Sequence, residues 1–144
     1  MKSEIFPTDT LNFQYYSSCI KLPNEEYQVI GGEFKTINGN NFTIYRLDNN
    51  FNKISENRIK MPRNQCDIAR VKSASNSQTI FCGQIQNYDT IVSNYLESQA
   101  IIYKLDPDGI EIWHTEFGDS INYEKFYDFT EDDQGNIYAC LLYT

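Results

Sequence analysis

Short runs of alternating apolar and polar residues recur along the chain, and polar turns separate them. Such runs occupy, for example, residues 42–47 and 100–105. Alternation with a period of two puts one set of side chains on each face of a β-strand, whereas no stretch of about ten residues keeps the period of an amphipathic helix. The 11 Tyr and 9 Phe residues reinforce this reading, because aromatic side chains suit half-buried pleated surfaces. The pattern predicts an all-β protein.

The predicted strands fall into groups of four. Residues 17–22, 27–34, 42–47 and 53–59 form the first group, and residues 67–72, 79–85, 100–105 and 110–117 form the second. A third group begins with residues 124–130 and 137–143, while residues 1–8 have the pattern of a last strand. The short turns between neighbouring strands favour antiparallel hairpins.

The groups repeat one another in sequence. Residues 44–48 (IYRLD) recur as residues 102–106 (IYKLD), and residues 4–8 (EIFPT) align with residues 111–115 (EIWHT). Residues 29–33 (VIGGE) align with residues 80–84 (IFCGQ), where residues 137–140 (IYAC) take the same place in the last copy. A repeat of this length filled with short strands is typical of β-propeller blades, each of which is an antiparallel four-stranded sheet.

We therefore predict a single domain, residues 1–144, that forms an incomplete β-propeller arc of about two and a half blades. Residues 1–10 end a preceding blade, residues 11–60 and 61–118 form the first and second blades, and residues 119–144 begin a third. Closed propellers need at least about four blades. The remaining blades are expected from a longer chain or from other copies, and the isolated chain is expected to self-associate through uncovered faces and edges.

Two tight turns stand out as structural sites. In Asp106-Pro107-Asp108-Gly109, Pro fits a φ near −65° and Gly fits a positive φ, so the segment predicts a hairpin turn. A second turn is predicted to end at Gly135-Asn136. An Asp side chain that caps backbone N–H groups explains these turns better than a calcium loop, which needs more oxygen ligands than the segments supply.

The polar stretch at residues 86–99 is longer than its counterpart in the first group. Loops that differ between similar repeats often carry binding contacts, so Tyr88, Asp89 and Tyr95 are candidate ligand-contact residues. The alternative is a solvent-facing insertion without a role. The expected ligand of such residues is a protein or a carbohydrate.

The composition and charge of the chain limit the classes of partner that it is expected to bind. The net charge of −8 and the scattered 12 basic residues argue against nucleic acid, although surplus acid is also what an ordinary solvated surface carries. No apolar stretch is long enough to span a membrane, and the first residues carry no signal-peptide pattern.

The reactive residue types do not form a known catalytic or metal-binding set. The four cysteines contain no CxxC pair, and His114 is the only histidine, predicted as a strand residue at a blade surface. We predict no catalytic residue, no metal site and no cofactor. A pair of carboxylates brought together by the fold stays open, since the sequence does not select one pair from 20 acids. Tyr45, Tyr103, Trp113 and Tyr138 are predicted to pack between blades.

The second and third groups resemble the bacterial SBBP-type β-propeller repeat. Residues 104–109 (KLDPDG) match the hairpin of that family, and residues 79–83, 113–118 and 135–138 follow its other strands. The first group departs from it, because Phe51 stands in place of the hairpin glycine and Lys60 in place of Gly118. The third group also departs from it, because Cys140 stands where Gly32 and Gly83 stand. The resemblance implies an exported or surface-attached bacterial protein, and it transfers no catalytic residue.

A weaker resemblance is to quinoprotein-type propeller repeats, carried by the spacing of Asp106, Gly109 and Trp113. Two functions therefore remain. The first is a non-enzymatic scaffold or binding module, which the sequence favours. The second is part of a propeller enzyme, either a quinoprotein dehydrogenase or a polysaccharide lyase or hydrolase.

Overall fold

A computed structural model describes residues 12–35, 40–63, 65–89, 94–119 and 122–143. Within these ranges the chain is all-β, which confirms the predicted fold class at this level. The strands are β1 (Asn12–Lys21), β2 (Tyr27–Lys35), β3 (Asn41–Leu47), β4 (Lys53–Lys60), β5 (Gln65–Ser73), β6 (Thr79–Asp89), β7 (Asn94–Leu105), β8 (Glu111–Phe117), β9 (Glu124–Glu131) and β10 (Ile137–Tyr143). A 3-10 turn, Ser75–Ser77, precedes β6. The strand predicted at residues 1–8 lies outside the described residues.

The strands form three antiparallel sheets. Sheet 1 has the order β1-β2-β3-β4, sheet 2 has the order β5-β6-β7-β8, and sheet 3 consists of β9 and β10. In every sheet, strands that follow each other in sequence pair with each other, so hairpins make all the connections within a sheet. The predicted antiparallel four-stranded sheets are confirmed.

A one-residue β-bulge recurs at the same place in every sheet. The pairing of the first strand with the second skips Ser17 in sheet 1, Ala69 in sheet 2 and Tyr127 in sheet 3. A second bulge recurs in the last strands of the four-stranded sheets, at Ile54 and Ile112. Bulges bend and twist a strand pair locally. The sheets therefore repeat one another in backbone detail as well as in sequence.

The positions of the bulges show that the sequence alignment of β2, β6 and β10 must be shifted by one residue. Gly31, Gly83 and Leu141 each lie opposite the residue that precedes the bulge, so they are the equivalent positions. The sequence alignment that equates Gly32 and Cys140 with Gly83 is wrong by one residue. Such a slip matters because it moves every side chain to the opposite face of the sheet.

The main hydrophobic core lies between sheets 1 and 2. The Phe42 ring meets the Phe81 and Tyr103 rings edge-on, with both centroids 5.1 Å away, and Phe81 stacks on Tyr103 at 5.0 Å. Ile44 and Ile101 are buried in the same cluster. Each such side chain contributes about 1.5–3 kcal/mol on burial, so this aromatic cluster holds the two sheets together.

A second core lies between sheets 2 and 3. Ile80, Cys82 and Ile102 of sheet 2 pack with Phe126 and Phe129 of sheet 3. Since alternate residues of β6 and β7 serve the two cores, the central strands of sheet 2 are buried on both faces. This explains why its strands contain long apolar runs.

Ion pairs tie the sheets together beside the cores. Arg46 of sheet 1 contacts Asp108 of sheet 2, and Lys125 of sheet 3 contacts Asp67 of sheet 2. The Lys104 ammonium lies 2.7 Å from the Glu131 carboxylate, and both side chains are largely buried. The stacking is therefore fixed by polar contacts as well as by apolar ones.

Acid is expected to weaken the stacking of sheets 2 and 3. The hydrogen bond from Lys104 holds the pKa of Glu131 below its ordinary value. A carboxyl group with a lowered folded-state pKa stabilises the fold above its unfolded pKa, about 4.3, and this stabilisation is lost as pH falls through the folded pKa. The melting temperature should therefore fall between about pH 5 and pH 3.

The Lys104→Met variant tests this dependence by differential scanning calorimetry. Its melting temperature should be lower than that of the unsubstituted protein near neutral pH and should depend less on pH in the acid range. Lys21→Met, which removes the exposed ion pair with Glu25, is the matched control and should keep the original pH dependence. Equal pH slopes for all three proteins would contradict the assigned role of the Lys104–Glu131 pair.

The polar stretch at residues 86–99 is not a loop along most of its length. Strand β6 continues to Asp89 and β7 begins at Asn94, and the two pair with each other beyond the ends of their neighbours β5 and β8. The prediction of a long loop here is wrong, because backbone pairing in a hairpin does not require apolar side chains. The result is a two-stranded arm, formed by residues 87–89 and 94–97.

Candidate functional site

The turn that begins at Asp106 has the predicted capping geometry. One oxygen of the Asp106 carboxylate accepts hydrogen bonds from the backbone N–H groups of Asp108, at 2.9 Å, and Ile110, at 2.8 Å. Gly109 has a φ of +80°, a value that glycine adopts without strain. Pro107 occupies the turn position directly after Asp106. The Asp106 oxygen is thus used within the turn.

The same five-residue turn occurs at two other hairpins. Asp132 caps the N–H of Asn136 at 2.8 Å, and Gly135 has a φ of +82°. Asp48 likewise caps the N–H of Asn52 at 2.8 Å, although Phe51 takes the glycine position with a φ of +62°. The sequence leaves the turn type at Asp48 open because glycine is absent, and the structure shows that the turn is unchanged.

The Asp106 turn docks onto sheet 1. Asp108 pairs through its carboxylate with the Arg46 guanidinium, and its backbone oxygen accepts a hydrogen bond from the Asn57 side chain. Arg46 also pairs with Glu26 of its own sheet, which holds the pKa of Glu26 below its ordinary value. This turn therefore joins two sheets.

The predicted ligand-contact residues lie in the two-stranded arm. Tyr88 and Tyr95 are paired directly across the two strands, and Asp89 follows at the end of β6. The arm brings the three positions together on one hairpin. The arm lies at the beginning of β7, whereas the Asp106 turn follows the end of β7.

A crevice lies between the outermost strands β4 and β8. It contains two adjoining depressions, of about 270 Å³ and about 300 Å³, that share Glu111. One depression is lined by Lys60, Met61, Pro62, Tyr103, Glu111 and His114. The other is lined by Asn57, Arg58, Ile59, Gly109, Ile110 and Glu111. The crevice thus runs along the junction of sheets 1 and 2.

A polar pair on an aromatic floor forms the centre of the crevice. His114 Nδ1 lies 2.6 Å from Glu111 Oε1, and the imidazole ring stacks on the Tyr103 ring with centroids 4.7 Å apart. Tyr103 is almost fully buried, and burial raises the pKa of its phenol, which stays neutral. The imidazole is therefore held by both a hydrogen bond and a stacked ring.

The two walls of the crevice carry opposite charges. Arg58 and Lys60 lie on the β4 wall, and Glu111 lies on the β8 wall. Apolar atoms of Met61 and Ile110 adjoin them. A ligand that offers hydrogen bonds, charge and apolar surface together fits such a lining, as small-molecule and peptide sites do.

The sequence did not point to this crevice. His114 is on a strand surface as predicted, but its pairing with Glu111 and its stacking on Tyr103 depend on the fold. Tyr103 packs between sheets 1 and 2 as predicted, and Tyr45 is buried against residues of its own sheet. Tyr138 is 61% exposed, and its packing between blades stays a prediction. Trp113 is partly exposed on β8.

The other reactive groups have structural surroundings. Cys66 and Cys82 are buried, Cys19 and Cys140 are exposed, and burial raises the pKa of the Cys82 thiol to about 12. Among the described residues, no three His, Cys, Asp or Glu side chains are grouped as a metal site would need. The described part of the chain also has no helix that is long and apolar enough to cross a membrane.

Comparison with protein-family models finds no match to the chain, and comparison with curated proteins finds no relative.

Proposed function

We propose that the chain is part of a β-propeller that acts as a non-enzymatic scaffold or binding module of an exported or surface bacterial protein. The observation that carries this proposal is the stacked repeat. Sheets 1 and 2 share strand order, both bulge positions and the Asp-capped turn, and sheet 3 repeats their first two strands. A series of four-stranded antiparallel sheets packed face to face is the building plan of a propeller.

The contacts between sheets support this arrangement. Sheet 2 uses one face for sheet 1 and the other for sheet 3, as a blade between two neighbours does. The Asp106 turn bridges to Arg46 of the preceding sheet. The KLDPDG hairpin of residues 104–109 is the segment that resembles the SBBP-type repeat, and the exported or surface location rests on that resemblance.

We assign the binding role to the β4–β8 crevice. It combines the fixed Glu111–His114 pair, the buried Tyr103 floor and walls of opposite charge. Tyr88, Asp89 and Tyr95, whose backbone lies in the two-stranded arm, stay candidate contact residues for the same protein or carbohydrate ligand class. Rigid sheets that hold a mixed polar and apolar crevice are a common basis for ligand binding.

Amide chemical-shift mapping of the labelled chain with panels of oligopeptides and oligosaccharides tests the proposal. A ligand should perturb amides of residues 59–61 and 111–114 together, and His114→Ala should weaken its binding about tenfold. Tyr138→Ala, an exposed aromatic substitution on β10, should leave the affinity unchanged.

Two results would overturn the proposal. The first is release of shortened products from an oligosaccharide, which would indicate an enzyme. The second is a set of perturbed amides that avoids both the crevice and the two-stranded arm.

A further inference from the structure

Strand β8 has an open edge that is unusually accessible. It is the last strand of sheet 2, so within the described part of the chain only β7 pairs with it. All seven of its residues are exposed. It contains neither proline nor lysine, the residues that most often block the edge of a sheet against a further strand. Beyond the bulge at Ile112, the backbone of residues 113–117 is therefore able to pair with another strand.

The charge on β8 itself and on the residues that flank it in sequence is of one sign. Residues 108–119 contain Asp108, Glu111, Glu116 and Asp119 but no Lys or Arg. The equivalent strand of sheet 1 is the opposite, because β4 carries Lys53, Arg58 and Lys60 against a single Glu56. Two copies of β8 would repel each other, since like charges directly across a strand pair are destabilising. A basic partner would be attracted.

The two faces of β8 differ in chemistry. His114 stacks on Tyr103 and so faces sheet 1, and Glu116 lies on the same side by alternation. Phe117 lies 6.1 Å from the Phe126 ring and so faces sheet 3, with Trp113 on its side. Phe117 is 53% exposed. One side of the edge is therefore acidic and the other is apolar and aromatic.

We propose that the free edge of β8 binds an extended basic peptide as a fifth strand of sheet 2. Side chains of an added strand alternate between the two faces. On the regular part of β8 beyond the bulge at Ile112, the peptide's Lys or Arg residues lie beside Glu116 on the face towards sheet 1, and its apolar residues lie over Trp113 and Phe117. The required partner is thus a segment in which basic and apolar residues alternate. This inference rests on the proposed binding role of the crevice and names the chemistry of its ligand.

Peptides of defined pattern provide the test. A short peptide of repeated Lys-Val units should bind the full chain and slow amide hydrogen exchange within residues 111–117. A peptide of the same composition with all its lysines first should bind about tenfold more weakly, because it cannot present one face of each kind. A peptide of repeated Glu-Val units should not bind.

Three variants test whether the Lys-Val peptide binds at β8. Glu116→Lys should weaken the binding of the Lys-Val peptide about tenfold or more, and Phe117→Ser should weaken it several-fold. Asp133→Lys makes the same change of net charge at an exposed turn of sheet 3, so it controls for attraction to the acidic protein as a whole. It should change the affinity less than about twofold.

The outcomes separate this inference from the proposed function. Equal binding of the alternating and the lysine-first peptides, or an equal loss of affinity in Glu116→Lys and Asp133→Lys, would overturn the fifth-strand inference. Slowed exchange at β4 of one copy and β8 of another without peptide, with doubled mass in light scattering, would replace the peptide with a second copy. If a neutral oligosaccharide binds the crevice and no basic peptide does, the inference is wrong while the binding role stands.

Discussion

Replacing Gly83 with alanine is expected to destabilise the protein by about 3 kcal/mol or more. A Cβ atom at this position would overlap the backbone oxygen of Asp67 on the neighbouring strand. The cause is the bulge at Ala69, which draws β5 towards β6 where Gly83 pairs with Ile68. Because the obstructing atom belongs to the backbone, no rotamer change relieves the overlap. Thermal unfolding followed by circular dichroism should show a melting temperature about 10 °C lower.

Gly135→Ala is the control for the loss of glycine as such. No atom lies within 4 Å of the position that its Cβ would occupy, so only the strain of its positive φ is added. Its melting temperature should fall by a few degrees, about a third of the fall for Gly83→Ala. If the two variants unfold at the same temperature, the close approach of β5 to β6 at Gly83 is not a constraint on the fold.

The strands could be predicted because the packing of sheet 2 follows the sequence pattern directly. Ile101 and Tyr103 of β7 face sheet 1, and Ile102 between them faces sheet 3. Burial on both faces gives the apolar run that marks a strand, and the polar turn at Asp106 ends it. Antiparallel hairpins follow from the short turns.

The alignment of Gly31 with Gly83 could not be predicted from the amino-acid sequence alone. The neighbouring glycine Gly32 also matches Gly83, so two registers fit the sequence almost equally well. The choice depends on a bulge in the partner strand, and a bulge is a property of two strands that share no local sequence signal.

Phe51 shows tertiary packing overriding a local preference. A positive φ costs a non-glycine residue about 1–2 kcal/mol. The Phe51 ring stacks on Tyr27 with centroids 4.8 Å apart, which offsets part of that cost. The Asp48 carboxylate also caps the turn without any need for glycine. A turn rule that depends on glycine alone therefore misses this hairpin.

The pairing of Glu111 with His114 could not be predicted from the sequence, because it also depends on a bulge. Glu111 and His114 are three residues apart, which in a regular strand places their side chains on opposite faces. The bulge at Ile112 adds one residue, so both side chains reach the crevice. The floor comes from Tyr103 on β7, and the opposite wall comes from sheet 1. Alternation alone therefore predicts that the pair is separated.

Gly109→Ala is expected to cost more stability than Gly135→Ala, although the two glycines have nearly the same backbone conformation. Their φ angles are +80° and +82°, so the strain of an added Cβ is about 1 kcal/mol in each case. At Gly109 the Cβ would also lie 2.7 Å from Cγ2 of Ile44 in sheet 1. That contact should add about 1–2 kcal/mol.

The difference between the two variants measures the docking of the Asp106 turn on sheet 1. Chemical denaturation should give a larger fall in the free energy of unfolding for Gly109→Ala, and Gly109→Val should fall further because a β-branched residue is strongly disfavoured at positive φ. In the Ile44→Ala background the penalty at Gly109 should shrink, because that substitution removes the Cγ2 methyl group that meets the added Cβ, whereas the penalty at Gly135 should be unchanged. Equal penalties at Gly109 and Gly135 in the unsubstituted background would show that the turn does not press against sheet 1, and would remove the contact between the Asp106 turn and Ile44 as a reason why the two sheets stack in this register.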